Sequence, residues 1–298
     1  MTILLLCLLC LVSCSSQEPP APVQKTPRPK LVIGLIPEQN VFRQMERYEP
    51  LMAYLGGKTG YRFELKVLPR YGNIVTNFQS LELDGAFFGS FTYALAHTRI
   101  QVDVVARPEN LKGVSTYHGM VFVRKDSGIA SFKDMKGKRM AMVDKATTAG
   151  YLLPLAFFRE NGNPDFRKHL KEVYFTGTHE DAIRDVVNRK ADIGAAKNTV
   201  FERMSAEDPG LRGSLKILAV SPQVPENALA MRSSLGKDSI GKIRKALLEM
   251  DRDPEGQLVL RDFGARRFIE TTDKDYEPVF RFAKQAGIDL SNYEYMND

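Results

Sequence analysis

The sequence predicts an α/β protein of two similarly built lobes joined by a hinge of two crossing strands. Three observations predict it. Short apolar strand patterns alternate with helical spacing along the body. The order strand, helix, strand, helix, strand recurs about 108 residues later without a gap. Two further apolar strands are placed to cross between the copies. A chain of 298 residues, 43% hydrophobic and 26% charged, is long enough for two modest lobes that each bury a core.

The first strand reads Leu31 to Ile36 and is ended by Pro37. Helical spacing follows from about Arg43 to Leu55, with Gly56-Gly57 as its stop. An alternating strand, Tyr61 to Val67, closes at Pro69, and a helix over about Gly72 to Leu81 leads into the strand Gly85 to Phe88. Shifted by about 108 residues, Leu31–Ile36 falls on Arg139–Asp144, Phe63–Val67 on Lys171–Phe175, Tyr71 on His179 and Asp84 on Asp192. The runs 116–123 and 215–220 are placed to cross between lobes, with Ser221 to Pro225 setting the return direction. Residues 228–231 resume a strand, and helical spacing over 240–250 and 276–285 packs back on the first lobe. The expected division is 30–117 plus 222–298 for lobe 1 and 118–221 for lobe 2.

In open α/β sheets ligands sit outside the carboxyl ends of the strands. The loops there are 37–40, 70–71 and 89–93 in the first lobe, and 145–150, 178–179 and 197–198 in the second. Asp144 to Tyr151 is the most informative, because two threonines and a glycine at a strand-to-helix junction offer hydroxyls and free backbone N–H groups to an anion. An ordinary helix N-cap would use the same residues, and the convergence of six loops favours the anion site. Two lobes with two crossings close around something in the cleft.

Composition narrows the function. Net charge is +6 with acids and bases interleaved and no basic stripe with aromatics, so nucleic acid is a poor partner. Cys7, Cys10 and Cys14 all precede the body, which therefore has neither disulfides nor thiolate metal chemistry. The four histidines are dispersed, with no HExxH, no G-x-S-x-G and no Walker-type glycine loop, so neither enzyme, metal nor cofactor is expected. Ile3 to Val12 is too short to span a bilayer and reads as a signal-peptide core, residues 1–13. Leu11-Val12-Ser13-Cys14 resembles a lipoprotein lipobox, which implies lipidation at Cys14. The Pro-rich stretch to residue 29 would be a tether, holding the body outside the cytoplasm at a membrane.

Asp84-Gly85-Ala86-Phe87-Phe88-Gly89, Val123 to Ile129, Lys136 to Arg139, Thr147 to Pro154 and Gly177 to Glu180 occur in an order that resembles the PhnD-like phosphate, phosphite and phosphonate receptors of bacterial ABC importers. The resemblance spans Lys30 to Asp298 and implies a type II periplasmic-binding-protein fold. It also implies capture of a small phosphorus oxyanion and delivery to a permease with its ATPase. A ligand-sensing module partnering a membrane kinase or chemoreceptor is the alternative. In that family a Ser-Thr-Ser turn, first-lobe tyrosines and a second-lobe histidine hold the oxyanion. Thr147 and Thr148 match the turn, Ala149 keeps only its backbone N–H there, and His179, Tyr71 and Tyr117 match the rest. Members that bind aminoalkyl phosphonates place acids opposite the amine, where this chain has Lys197-Asn198 and Glu226-Asn227. Lys197 and Asn198 are thus expected to favour a smaller or more anionic ligand, with weak selectivity for an amine.

Overall fold

The computed structural model describes residues 28–297. The signal run, Cys14 and the tether up to residue 27 lie outside the described residues. Four strands open the chain: β1 (Lys30–Leu35), β2 (Arg62–Val67), β3 (Gly85–Phe88) and β4 (Val102–Asn110). Then come the short β5 (Thr116–Tyr117) and five more strands, β6 (Gly119–Arg124), β7 (Arg139–Met142), β8 (Glu172–Phe175), β9 (Ile193–Lys197) and β10 (Leu215–Val220). The chain finishes with β11 (Val224–Pro225), β12 (Ala228–Arg232) and β13 (Ala265–Glu270). Two main sheets result, ordered β13-β4-β12-β3-β1-β2 and β10-β6-β9-β7-β8, and β5 pairs β11 in a separate two-stranded ladder.

The repeat is present in the hydrogen bonding. In the first sheet β1 runs parallel to β2 and β3, and β12 lies antiparallel beside β3. In the second β7 runs parallel to β8 and β9, and β6 lies antiparallel beside β9. The apolar runs Leu31–Leu35, Ala86–Phe88, Met140–Met142 and Ile193–Ala196 are buried at nearly every position. Parallel strands covered by helices on both faces need that composition.

Several expectations are corrected in detail. The crossing is confined to β5 and β11, with Tyr117 opposite Val224 and Thr116 opposite Pro225. The run 215–220 lies instead at the edge of the second sheet against β6, and its outward residues Ile217 and Val220 are exposed. The first helix extends over Val41–Thr59, past Gly56-Gly57, and stops where Gly60 takes a left-handed φ of 79°. The helix expected over 72–81 is a single turn, Asn73–Thr76, followed by further turns. The helices Lys237–Leu248 and Glu277–Gln285 form as the spacing indicates.

One local feature sets the anion-site candidate in place. After β7 the chain enters a π-helical turn, Thr148–Leu152, in which Leu152 N–H reaches the Thr147 carbonyl at 3.1 Å. Gly150 O accepts from Val143 N at 3.2 Å, which holds the turn against the end of the strand. A Cβ on Gly150 would lie 2.4 Å from Val143 Cβ and 2.8 Å from Thr147 Oγ1. Gly150→Ala is therefore expected to displace Thr147 and to destabilise the fold by about 1–3 kcal/mol. Thermal unfolding checks this, and an unchanged midpoint would mean that the turn is not under that constraint.

Candidate functional site

The carboxyl ends of the parallel strands converge on one enclosed cavity of about 10 Å³ between the two sheets. Ile36 and Glu38 come from beyond β1, Tyr71 from beyond β2, and Gly89 and Thr92 from beyond β3. From the other sheet come Thr147 and Thr148 after β7, His179 after β8 and Lys197 at the end of β9; Tyr117 of β5 and Asn227 after β11 complete the wall. All six loops expected at the cleft contribute. The space has room for about one water, so admitting a solute requires the lobes to part.

The hydroxyls of this wall are held in place by neighbours. Thr147 Oγ1 donates to the Asp144 carbonyl at 2.6 Å, and Asp144 Oδ1 accepts from Ala146 N at 2.8 Å. Burial raises the Asp144 carboxyl to about 6, against the bond from Ala146 N and a 3.0 Å bond from Asn297. Between the lobes, Phe91 N donates to Thr148 Oγ1 at 3.1 Å and Thr92 Oγ1 donates to the Ala146 carbonyl at 2.9 Å. The C-terminal segment adds a strap. Arg99 holds the Leu290 and Tyr293 carbonyls, while Tyr293 Oη donates to the Lys145 carbonyl at 3.0 Å.

His179 opens the helix His179–Val187 and is buried edge-on to Tyr71, their ring centroids 5.8 Å apart. Its Nδ1 accepts the Lys197 backbone N–H at 3.3 Å, which places the ring hydrogen on Nε2. Burial, with Lys197 and Arg203 nearby, pushes its pKa down to about 3, so at neutral pH the imidazole is an uncharged donor. Tyr71 Oη and Asn227 Nδ2 are buried in the cavity wall without a hydrogen-bond partner among the described residues. Buried donors left unpaired are costly in a native fold and mark a place made for an acceptor. Burial raises the hydroxyl pKa of Tyr71 and Tyr117, so both stay protonated and able to donate.

Lys197 behaves differently from its expected part. Its side chain is 3% exposed, and Nζ contacts Glu38 Oε1 at 2.9 Å, Asn227 Oδ1 at 3.0 Å and the Glu226 carboxylate. The Tyr117 ring lies 4.3 Å below it. Burial alone would lower the Lys197 pKa, but Glu226 and Glu38 outweigh it and raise the value. Burial would likewise raise Glu38, yet Lys197, with Arg203 and Arg47 beyond, brings it down to about 2. The ammonium is thus neutralised inside the wall.

Tyr71, Tyr117, Thr147, Thr148, His179 and Lys197 therefore meet at one cavity, whereas Ala149 and Asn198 do not line it. Ala149 packs on Gly119 of β6, where an added Cβ would stand 2.8 Å from its Cα. Asn198 is drawn to the hinge, accepting from His118 N at 2.9 Å and donating to Glu202 at 3.1 Å. Glu38 and Thr92 lie in loops expected at the cleft but were not singled out within them, and Asn227 was named only as standing where related receptors carry an acid. The position of Glu38 just after β1 was the available signal, but one acid in a polar loop reads equally well as solvated.

Comparison with known proteins gives the arrangement a context. The family model described as "ABC transporter, phosphonate, periplasmic substrate-binding protein" matches residues 33–276. The phosphate-import protein PhnD of Mycolicibacterium smegmatis is 26% identical over 90% of this chain and 89% of its own length. The phosphonates-binding periplasmic protein of Escherichia coli is 22% identical, over 85% and 75%. In fold, the chain matches the binding-protein component of an ABC phosphonate transporter from Pseudomonas aeruginosa with a TM-score of 0.80 at 24% identity, over 87% of both chains. It matches PhnD1 from Prochlorococcus marinus, solved with methylphosphonate, with a TM-score of 0.76 at 22% identity, covering 87% of this chain and 98% of that one. With the family model matching residues 33–276, the chain, two sheets joined by a short paired crossing around an interlobe cavity, belongs to the family of phosphonate-type periplasmic substrate-binding proteins of ABC transporters.

Proposed function

We propose that the protein captures a small phosphorus oxyanion, phosphonate, phosphite or phosphate, in the interlobe cavity and delivers it to an ABC permease. In this reading it works outside the cytoplasm, tethered by a lipid on Cys14. The lobes divide as 30–117 with 222–298 and as 118–221. The observation that carries the reading is the pair of unpartnered buried donors, Tyr71 Oη and Asn227 Nδ2, in a wall that also holds Thr147, Thr148, Tyr117 and His179. A tetrahedral oxyanion offers acceptors to all of them at once, and neutral donors in a dry site bind it without a full counter-charge. The M. smegmatis relative is named for phosphate import and the P. marinus structure holds methylphosphonate, which supports this ligand class.

Thr148→Val keeps the shape of the residue and removes its hydroxyl. Calorimetric affinity for methylphosphonate, phosphite and phosphate should fall at least about tenfold for whichever binds tightest, the scale of about 1.4 kcal/mol for one lost hydrogen bond to a charged group. Unchanged affinity would move the site elsewhere. The native chain should bind 2-aminoethylphosphonate no more tightly than methylphosphonate; tighter binding would contradict the selectivity argued here.

The neutral imidazole and the depressed Glu38 also set a pH response. His179 titrates at about 3 when folded and near its ordinary 6.5 when unfolded, so the unfolded chain takes the proton first as pH falls. Its contribution is complete above 6.5 and is lost between 6.5 and about 3, at about 1.4 kcal/mol per pH unit. Glu38, at about 2 against an ordinary 4.5, adds a loss in the same direction below 4.5. Asp144, at about 6 against an ordinary 3.8, contributes in the opposite direction in both proteins, so from pH 6.5 to 5 the urea midpoint of the native protein should fall more, or rise less, than that of His179→Gln. Equal slopes in the two proteins would show that His179 is not buried in its neutral form.

A further inference from the structure

A primary ammonium has three N–H donors and no acceptor. Around Lys197 Nζ stand three oxygen acceptors, from Glu38, Glu226 and Asn227, and the face of the Tyr117 ring. Every donor therefore has a partner, and the ring face contacts the cation as well. Glu38 and Glu226 belong to segments leading out of β1 and into β12 of the first sheet, whereas Lys197 ends β9 of the second. The cation thus enters from one lobe a receptor built largely by the other. With its donors committed, Lys197 has none to offer an oxyanion in this closed state. Two carboxylates face this one ammonium, with Arg203 and Arg47 farther out on the Glu38 side.

We propose that Glu38, Glu226, Asn227 and Tyr117 form a subsite for a primary amine, and that Lys197 is its built-in occupant. This inference deepens the oxyanion reading of the preceding subsection and rests on it only for the second ligand group. The lysine stem takes the space that an aminoalkyl arm would need and supplies the charge that such an arm would bring. It thereby restricts the cavity to oxyanions without an amine. Shortening Lys197 would uncover the carboxylates and convert the site to one for zwitterionic aminoalkyl phosphonates. Such ligands gain from two free carboxylates, while a simple oxyanion beside them loses.

The test compares the native protein with Lys197→Ala and with Lys197→Met, which removes the charge but keeps the stem filled. Ethylammonium chloride, against sodium chloride at equal ionic strength, should raise the thermal midpoint of Lys197→Ala by several degrees. It should leave the native protein and Lys197→Met unmoved. The ratio of affinities for 2-aminoethylphosphonate and propylphosphonate, an amine and its uncharged counterpart of equal size, should rise at least tenfold in Lys197→Ala. A folded Lys197→Ala with neither ethylammonium stabilisation nor a raised ratio overturns the proposal. The ethylammonium arm needs no oxyanion, so it remains decisive even if the native protein binds no phosphonate, the result that would defeat the oxyanion reading instead. Should Lys197→Ala fail to fold, Glu226→Gln is the second variant. With one carboxylate neutralised, the remaining ammonium should increase methylphosphonate affinity at least threefold, and equal or weaker binding overturns the proposal.

Discussion

The arrangement depends most on an ammonium that has been taken out of water. Lys197 brings a full charge to the meeting of the two lobes, and that charge is supportable there only because Glu38 and Glu226 arrive from the other side. Removing one partner of such a buried pair typically costs about 3–5 kcal/mol, whereas the intact pair is close to neutral against full hydration. Parting the lobes returns all three groups to water together. Closure can therefore be stringent about charge without being irreversible, as the proposed capture and release would require. The other bonds between lobes are weaker or peripheral. Arg43 and Glu207, 2.5 Å apart, are both half exposed, and such surface pairs contribute about 0–1 kcal/mol.

Around this cluster the site follows from the repeat. Each parallel trio of strands delivers three loops to one edge, and among the described residues the paired strands β5 and β11 carry the chain between the two sheets. The cavity wall then combines threonine hydroxyls, two tyrosines, an amide and a neutral imidazole with a cluster whose charges largely cancel. That composition favours recognition by directed hydrogen bonds over simple attraction to positive charge. The C-terminal strap stiffens the edge that holds the threonine turn, since Asn297 donates to Asp144 Oδ2 and accepts from Lys145 N.

Much of this was legible in the sequence because it depends on periodicity and order. The strand positions in both copies, the two-lobed class and the six loops at the cleft came from apolar runs punctuated by Gly and Pro, and each such loop reaches the cavity. Strands β4 and β13 carry charged and proline residues, Arg107, Pro108, Glu109, Arg266 and Arg267, that hide a strand pattern; pairing with neighbours distant in sequence makes them strands. The partner of Lys197 was hidden for a related reason. Glu38 lies 159 residues away in sequence, where nothing local distinguishes it from a solvated acid, and Glu226, 29 residues away, stood next to a family acid position with no sign that it would face Lys197. Asn198 could equally have faced the cavity, and the backbone N–H of His118 together with the Glu202 carboxylate decides its direction.

In the proposed function an oxyanion closes the two lobes over a cavity too small to admit it while shut. Spin labels on the two lobes, one at Glu82 and one at Lys168, measure it directly through their distance distribution. Without ligand the distribution should include a longer, broader population, and saturating methylphosphonate, phosphite or phosphate should collapse it to a single shorter distance. A distribution that stays the same while ligand binds would contradict closure and place the binding site outside the cleft.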